Sequence, residues 1–237
     1  MPTSPSTLGR RRWFPVADSS VEQRSGHRLV LASASPRRRA LLDELGVEVV
    51  VLPADIDESP RPGVAPWRHV VDLAGEKAGV VADLHPDADV IAADTEVVLE
   101  NHAGAVPLGK PQNREHAARM LADLSGRTIH VVTGLAVRRA GGNLSMGTVV
   151  SKVTVRDLTA AEIDAYLLTG DADDKAGGLA VQGEAAGFVP HIEGCYTNVV
   201  GLPLCRVAAL VAPHVGWTCH GTGPSCDAYA AAHGRIR

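Results

Sequence analysis

A short cationic segment, residues 33–38 (SASPRR), separates a predicted strand from a predicted helix. Ser35 is a typical N-cap, and Pro36 suits the first helical position. The first backbone N–H groups of a helix have no partner inside it, and the helix dipole places partial positive charge there. Arg37 and Arg38 add full charges and donors that suit phosphate oxygens. Because arginines at this end oppose the dipole, the segment predicts an anion site; a solvated basic turn is the alternative.

Acidic residues occur in three predicted loops: Asp57 and Glu58, then Asp94, then Asp173 and Asp174. A hydrolase acting on a magnesium-bound triphosphate needs carboxylates that hold the metal and activate water. Asp94 follows a hydrophobic strand directly, which is where ligands bind in open α/β sheets. Each acid taken singly is more typical of a solvated loop, and the order of these acids along the chain does not show that they meet.

The glycines at 104 and 109, followed by Lys110, resemble the beginning of a P-loop. A P-loop continues with Ser or Thr, whose hydroxyl binds magnesium, but Pro111 follows here. Proline has neither a hydroxyl nor an N–H group. We therefore reject the P-loop and keep Lys110 as a candidate phosphate contact, with an ordinary surface lysine as the alternative.

Predicted strands alternate with predicted helices along the chain. A hairpin through Gly141-Gly142-Asn143 joins two strands and excludes a purely parallel sheet. We therefore expect an α/β fold with a mixed β-sheet flanked by helices. The predicted strands are 29–32, 47–52, 90–95 with a continuation at 97–99, 128–138 and 144–156. The first predicted helix begins at Pro36 and ends at Gly46. Four more predicted helices cover 67–81, 114–124, 159–169 and 203–211, and the stretch 171–201 is predicted to form loops.

The domain boundaries follow from where hydrophobic periodicity begins and ends. Residues 1–26 are rich in Ser, Pro and Arg without an apolar period, so we predict a disordered extension. One domain is predicted over 27–212, followed by a loose tail over 213–237.

Composition excludes several classes of function. A net charge of −4 disfavours a nucleic-acid polymer as partner, because such proteins carry a basic excess. No run of apolar residues approaches the ~18 needed to span a membrane. The four cysteines are too scattered for a secreted disulfide framework. The expectation is a cytoplasmic protein with reduced thiols.

Several short motifs together resemble those of the Maf family, in the family's order and over roughly residues 28–212. The motifs are Leu29–Arg38 (LVLASASPRR), Asp57-Glu58, Glu76-Lys77-Ala78, Ala93-Asp94-Thr95, Gly109-Lys110-Pro111, Asp174-Lys175-Ala176-Gly177, Val181-Gln182-Gly183 and Asn198–Pro203 (NVVGLP).

This resemblance implies a fold like that of inosine triphosphate pyrophosphatases: an elongated mixed sheet with a deep central cleft, usually in a homodimer. It implies hydrolysis of nucleoside triphosphates between the α and β phosphates with a divalent cation, Mg²⁺ or Mn²⁺. Asp94 would accept a proton from water, and Glu58 with Asp94 would bind the metal. The phosphates would be held by Ser33, Arg37, Lys77 and Lys110.

The family divides by base preference, and Arg38, Thr95 and Gln182 match the members that act on dTTP and UTP. Leu179 stands where many members have Tyr, which predicts a smaller and less polar pocket wall. The alternatives are another base preference, such as 7-methyl-GTP, or a regulator of septum formation that acts by binding. The intact set of charged motif residues favours catalysis, since a binding module needs no proton acceptor.

Overall fold

The computed structural model describes residues 28–44, 47–101 and 104–215. The predicted extension over 1–26 and residues 216–237 of the tail predicted over 213–237 lie outside the described residues, and those two predictions are untested.

The described residues form seven strands and six α-helices, with two short 3₁₀ helices. The strands are β1 (Arg28–Leu31), β2 (Val50–Val51), β3 (Ala88–Asn101), β4 (Gly104–Leu108), β5 (Thr128–Arg138), β6 (Leu144–Thr154) and β7 (His191–Glu193). The α-helices are α1 (Pro36–Glu44), α2 (Pro66–Leu84), α3 (Arg114–Leu124), α4 (Ala160–Leu167), α5 (Tyr196–Val200) and α6 (Leu204–Val215); the 3₁₀ helices are Ala176–Gly178 and Glu184–Phe188.

All seven strands belong to one mixed sheet in the order β2-β1-β3-β5-β6-β7, with β4 beside β3. β1 is parallel to β2 and to β3, and the remaining pairs are antiparallel. The predicted hairpin joins β5 to β6, and Gly141 and Gly142 adopt the positive φ angles of 90° and 101° that its turn requires. The predicted mixed α/β fold is confirmed.

The structure departs from the predicted elements where local sequence signals are weak. β3 runs unbroken for 14 residues, and the predicted strand at 47–52 shrinks to Val50–Val51. β4 was not predicted, because a short segment containing Gly104 and Pro107 lacks strand propensity and forms only beside β3. The predicted loops over 171–201 contain the 3₁₀ helices, β7 and α5.

The sheet has a gap along one edge of β3. β1 pairs with its first part, Ala88–Ile91, and β4 pairs with its last part, Val97–Asn101. Between Ala92 and Glu96, β5 is the only strand of the described residues that pairs with β3. The middle of the longest strand therefore faces an opening between two other strands, and Asp94 lies at its centre.

The two faces of the sheet are covered differently. α2 covers one face and packs Ala74, Ala78 and Val81 against the even-numbered residues of β3. On the other face one apolar cluster contains residues of α1, α5 and α6, and a separate cluster contains residues of α3 and α4. Thr95 and the buried Thr133 lie on that face and belong to neither cluster. A cleft between two lobes of one sheet is the result.

Candidate active site

The cleft contains two adjoining cavities that share Arg37 and Val200 in their walls. The first has a volume of about 360 Å³ and is lined mostly by charged and polar side chains. The second has a volume of about 320 Å³, and its lining is mostly apolar, with Gln182 among the polar exceptions. A ligand that fills both must carry charge at one end and a flatter, less polar group at the other.

Lys77 of α2 connects the two carboxylates of the first cavity. Its Nζ donates to Asp94 Oδ1 at 2.7 Å and lies 2.8 Å from Glu58 Oε1. Lys77 and Asp94 are buried, whereas the Glu58 side chain is 57% exposed on its loop. The long buried side chain is favourable here because both carboxylates neutralise its ammonium. Asp94 and Glu58 thus contact the same cation.

The turn before α1 is held by the Ser33 side chain. Its Oγ accepts hydrogen bonds from the Ser35 backbone N–H at 3.2 Å and from Arg38 Nη1 at 3.0 Å. A hydroxyl that accepts two bonds still has its own hydrogen to donate. Ser35 Oγ in turn accepts from the Arg38 backbone N–H at 3.5 Å, as the predicted N-cap requires.

Arg38 reaches across the cleft to the far end of the sheet gap. Its Nε donates to the Gly201 carbonyl at 2.8 Å and its Nη2 donates to Thr95 Oγ1 at 3.0 Å. Burial lowers the pKa of Arg38; the negative charge of Asp94 opposes this, and the neighbouring charge of Arg37 adds to it. The hydrogen bonds from Nε, Nη1 and Nη2 fix the position of the guanidinium in the cleft.

Two further cations lie at the mouth of the first cavity. Lys110 is exposed on the loop after β4, which Gly109 ties to the 3₁₀ helix by accepting the Gly177 N–H at 3.0 Å. Arg37 Nη1 donates to Asp174 Oδ2 at 3.4 Å, and Lys175 also contacts Asp174. Arg37 of α1, Lys110 after β4, and Asp174 with Lys175 before the first 3₁₀ helix thus all place charges around the sheet gap.

The wall of the second cavity is held in place by Tyr166 of α4. Its hydroxyl donates to the Gly178 carbonyl at 3.0 Å and accepts the Ala180 N–H at 3.1 Å. Burial raises the pKa of Tyr166 to about 12, so the hydroxyl keeps the hydrogen that it donates. Leu179 lies between these two anchored residues and faces the cavity that also contains Gln182.

The structure places most of the predicted site residues in the first cavity. Its lining includes Ser33, Arg37, Arg38, Glu58, Lys77, Asp94, Thr95 and Lys110. Gln182 lies in the second cavity, apart from Arg38 and Thr95, with which the base-preference motif grouped it. Of the remaining acids, Asp174 lines the first cavity, whereas Asp57 and Asp173 do not.

Asp57 instead caps its own loop. Its Oδ1 accepts the Ser59 N–H at 2.9 Å, and hydrogen bonds from Ser59 hold the pKa of Asp57 below its usual value.

Sequence reasoning missed a pair of side chains beside the first cavity, the buried His69 and the partly buried Glu96. His69 of α2 contacts Glu96 of β3 through Nδ1 at 2.6 Å and the Ser59 carbonyl through Nε2 at 3.2 Å. Burial raises the pKa of Glu96, and the contact with His69 opposes this. One signal was available: His69 lies four residues before the buried Leu73, so the helical period places this polar residue on the buried face of α2.

This fold and cleft define an α/β protein with one mixed sheet and a site of two adjoining cavities, one lined mostly by charged and polar residues and the other mostly by apolar residues. The chain belongs to the Maf family: the family model described as "Maf-like protein" matches residues 28–214. Among the described residues, no helix is long and apolar enough to cross a membrane.

Relatives in three bacteria carry the name dTTP/UTP pyrophosphatase. The protein from Cereibacter sphaeroides is 48% identical over 185 residues, which cover 78% of this chain and 93% of the relative. The protein from Pelotomaculum thermopropionicum is 47% identical, with coverages of 77% and 94%. The protein from Myxococcus xanthus is 49% identical, with coverages of 77% and 90%.

A solved structure from Mycobacterium abscessus, a nucleoside-triphosphatase / dITP/XTP pyrophosphatase, is also similar. It is 18% identical, with a TM-score of 0.37 over 55% of this chain and 75% of that one. A likeness this low has no bearing on function.

Proposed function

We propose that this protein hydrolyses nucleoside triphosphates, dTTP and UTP foremost, to the monophosphate and pyrophosphate. The observation that carries the proposal is the pair of adjoining cavities. One contains four basic side chains around a buried carboxylate, and the other is mostly apolar, with the amide of Gln182 and a few charged side chains in its lining. A nucleotide has this division between phosphates and base, and the relatives named above act on such nucleotides by name.

The triphosphate binds in the first cavity. Arg37, Lys77 and Lys110 contribute charge from three separate elements, and the first turn of α1 adds its dipole. Ser33 donates its remaining hydroxyl hydrogen to a phosphate oxygen. Arg37 exchanges Asp174 for a phosphate, which costs little because exposed ion pairs contribute little.

Asp94 is the group that activates water. Lys77 fixes one carboxylate oxygen of Asp94. The other oxygen accepts a proton from water as the water oxygen attacks the α phosphorus. The P–O bond to the bridging oxygen breaks, and pyrophosphate leaves with the negative charge that the basic side chains stabilise.

A divalent cation, Mg²⁺ or Mn²⁺, fits the carboxylates of this cavity. Glu58 and Asp94 already contact one cation, the Lys77 ammonium, and their oxygens are the hard ligands that these metals prefer. The described residues contain no cluster of three or more acidic, histidine or cysteine side chains. Two carboxylates suffice for an ion that keeps most of its waters and binds substrate phosphates. When bound, the metal neutralises phosphate charge and lowers the pKa of its water.

The base binds in the second cavity, where Gln182 reads its edge. An amide both donates and accepts, so it pairs with the N–H and a carbonyl of uracil or thymine. The apolar remainder, including Leu179 and Val97, covers the ring faces.

We infer from the family resemblance that the protein is a homodimer and works in the cytoplasm on free nucleotides rather than on nucleic-acid polymers. Light scattering after size-exclusion chromatography tests the dimer: a mass near twice the chain's 24.8 kDa is expected.

Release of pyrophosphate from a panel of nucleotides, with Mg²⁺ or Mn²⁺ and with chelator, tests the reaction. The expected products are UMP or dTMP and pyrophosphate in equal amounts, and none with chelator. Release of orthophosphate instead, or no turnover of any nucleotide, contradicts the proposal.

A further inference from the structure

The His69–Glu96 pair, which is largely buried, lies directly beside the acidic loop of the first cavity. His69 is 3% exposed on α2, and Glu96 follows Asp94 by two residues, on the same face of β3. The ring lies between Glu96 Oε1 at 2.6 Å and the Ser59 carbonyl oxygen at 3.2 Å. One side chain therefore connects the central strand to the loop that carries Glu58.

The hydrogen positions follow from the partners. A backbone carbonyl can only accept, so His69 Nε2 carries a hydrogen and donates it to Ser59. The other ring nitrogen shares a hydrogen with Glu96 Oε1, and this contact fixes the orientation of the ring. Glu96 is thus the residue that aims the Nε2 donor at the loop.

Stability alone does not account for this pair. Glu96 Oε2 is buried without a hydrogen-bond partner among the described residues, which costs free energy. Replacing a buried ionic pair by apolar residues of similar size is often neutral or stabilising. The pair is therefore better explained by the contact that His69 makes with the Ser59 carbonyl, which belongs to the loop of Glu58.

Ser59 is the neighbour of Glu58, and the loop over 53–65 has few other restraints. Most of its side chains are exposed. Near its ends, Ala54 packs against the apolar cluster that contains α2 residues, and the Ala65 carbonyl accepts N–H groups of α2. Between these ends, the described side-chain ties to α2 are the Glu58–Lys77 and Arg61–Glu76 ion pairs besides the His69 contact. The ion pair of Glu58 must loosen when a metal or phosphate competes for the same groups. The His69 contact lies outside the cavity, and it remains.

We propose that His69 and Glu96 are positioning residues that hold the Ser59 carbonyl and so keep the Glu58 carboxylate opposite Asp94 during turnover. The proposal rests on the assignment of Glu58 to the metal in the proposed function. Neither side chain touches the substrate.

Two substitutions at one position test this. The amide nitrogen of Asn reaches about as far as Nδ1, and that of Gln about as far as Nε2. His69→Asn thus loses the donor to Ser59, whereas His69→Gln keeps it. In metal-free protein, hydrogen–deuterium exchange of the backbone over 53–65 should speed up about three- to tenfold in His69→Asn, the effect of one hydrogen bond. In His69→Gln it should stay near wild type.

The metal dependence of hydrolysis is the second readout. His69→Asn should raise the Mn²⁺ concentration for half-maximal activity about three- to tenfold, with the KM for nucleotide at saturating metal nearly unchanged. Glu96→Val, which suits a strand, should move both readouts in the same direction by removing the group that orients the ring.

Unchanged exchange over 53–65 in His69→Asn and Glu96→Val overturns the proposal, as does a loop loosened equally by Asn and Gln. If His69→Asn does not fold, Glu96→Val against wild type decides the matter. Should the wild-type protein hydrolyse no nucleotide, the proposed function fails, while the exchange experiment in metal-free protein still judges the positioning role.

Discussion

Asp94 is set apart from the other acids of the cleft by its burial and by its fixed contact with Lys77. Asp94→Asn keeps the size of the side chain and most of its hydrogen bonding but removes the charge that accepts a proton. We expect kcat to fall about 10²-fold or more while the protein still folds. Steady-state kinetics and a thermal melt measure the two effects.

Asp57→Asn is the matched control for that experiment. Asp57 lies in the loop beside Glu58 but caps its own backbone outside the cavity. Its substitution should leave kcat within about twofold, because a solvent-exposed hydrogen bond contributes little. A near-normal rate for Asp94→Asn, or an equal loss in both variants, removes Asp94 from its assigned role.

Arg37 and Lys110 differ from Lys77 in having no buried carboxylate to neutralise. Their substitution by Ala should each remove a charge-assisted contact worth about 1.5–3 kcal/mol, which raises the KM for triphosphate about 10- to 100-fold. Arg39→Ala is the control, since Arg39 lies in the same helix but pairs with Asp43 at the surface. Normal KM values for Arg37→Ala and Lys110→Ala would place the phosphates elsewhere.

At the scale of elements, the packing of α2 against β5 depends on Gly134. A Cβ atom at this position would lie 2.1 Å from the Val70 carbonyl oxygen, which is backbone and cannot turn aside. Gly134→Ala must therefore push away the helix that carries His69 and Lys77. We expect the free energy of unfolding to fall by about 1–3 kcal/mol, together with a lower kcat, by denaturant unfolding and kinetics.

Gly79→Ala is the companion variant. Gly79 lies in α2 with no atom within 4 Å of its would-be Cβ, so helix propensity alone should stabilise the protein by up to about 1 kcal/mol. Equal stability in Gly134→Ala and wild type would mean that the helix is free to shift.

The elements show where sequence reasoning succeeds and where it does not. The hairpin glycines and the helix predicted from residue 159 rest on local signals: both glycines have positive φ angles, and Thr159 and Glu162 form a capping box at the start of α4. The continuity of β3 and the existence of β4 depend on pairing between segments, which no local propensity encodes. The close approach of Gly134 to the backbone of Val70 was not predictable, because Val70 lies in a helix that is distant in sequence.

For the site, the residues were predictable and their arrangement was not. Arg37, Lys110 and Asp94 each stood out by type and position, yet their meeting in one cavity requires the gap between β1 and β4. His69 and Glu96 carried no motif, and only their distance of 2.6 Å makes them a pair.

At the scale of the whole molecule, the separation of the two cavities predicts how selectivity and rate divide. Gln182 lies in the second cavity, away from Asp94, so its loss should affect the choice of base more than the chemistry. Cytosine reverses one carbonyl and the N–H of uracil, which leaves buried groups unpaired at about 1–3 kcal/mol each. We expect kcat/KM for UTP and dTTP to exceed that for CTP and the common purine triphosphates.

Gln182→Ala should narrow the difference between UTP and CTP more than it lowers the best rate. Leu179 lies on the same cavity wall. Leu179→Tyr tests whether a bulkier and more polar side chain at this position increases the ratio of kcat/KM for UTP to that for CTP. Equal kcat/KM for UTP and CTP in the unaltered protein contradicts the base-reading role of Gln182.

The alternation of β3 has a further consequence for how this chain can change over generations. Asp94 points to the face covered by α2, and Thr95, its neighbour, points to the opposite face, where Arg38 contacts it. Because successive strand residues face opposite ways, inserting or deleting one residue before Asp94 would exchange the two sides at once. The carboxylate would leave Lys77, and the hydroxyl would leave Arg38. A substitution changes the residues on one face of the strand at a time, whereas an insertion or deletion changes both faces. The length of β3 before Asp94 is therefore more strongly constrained than its composition.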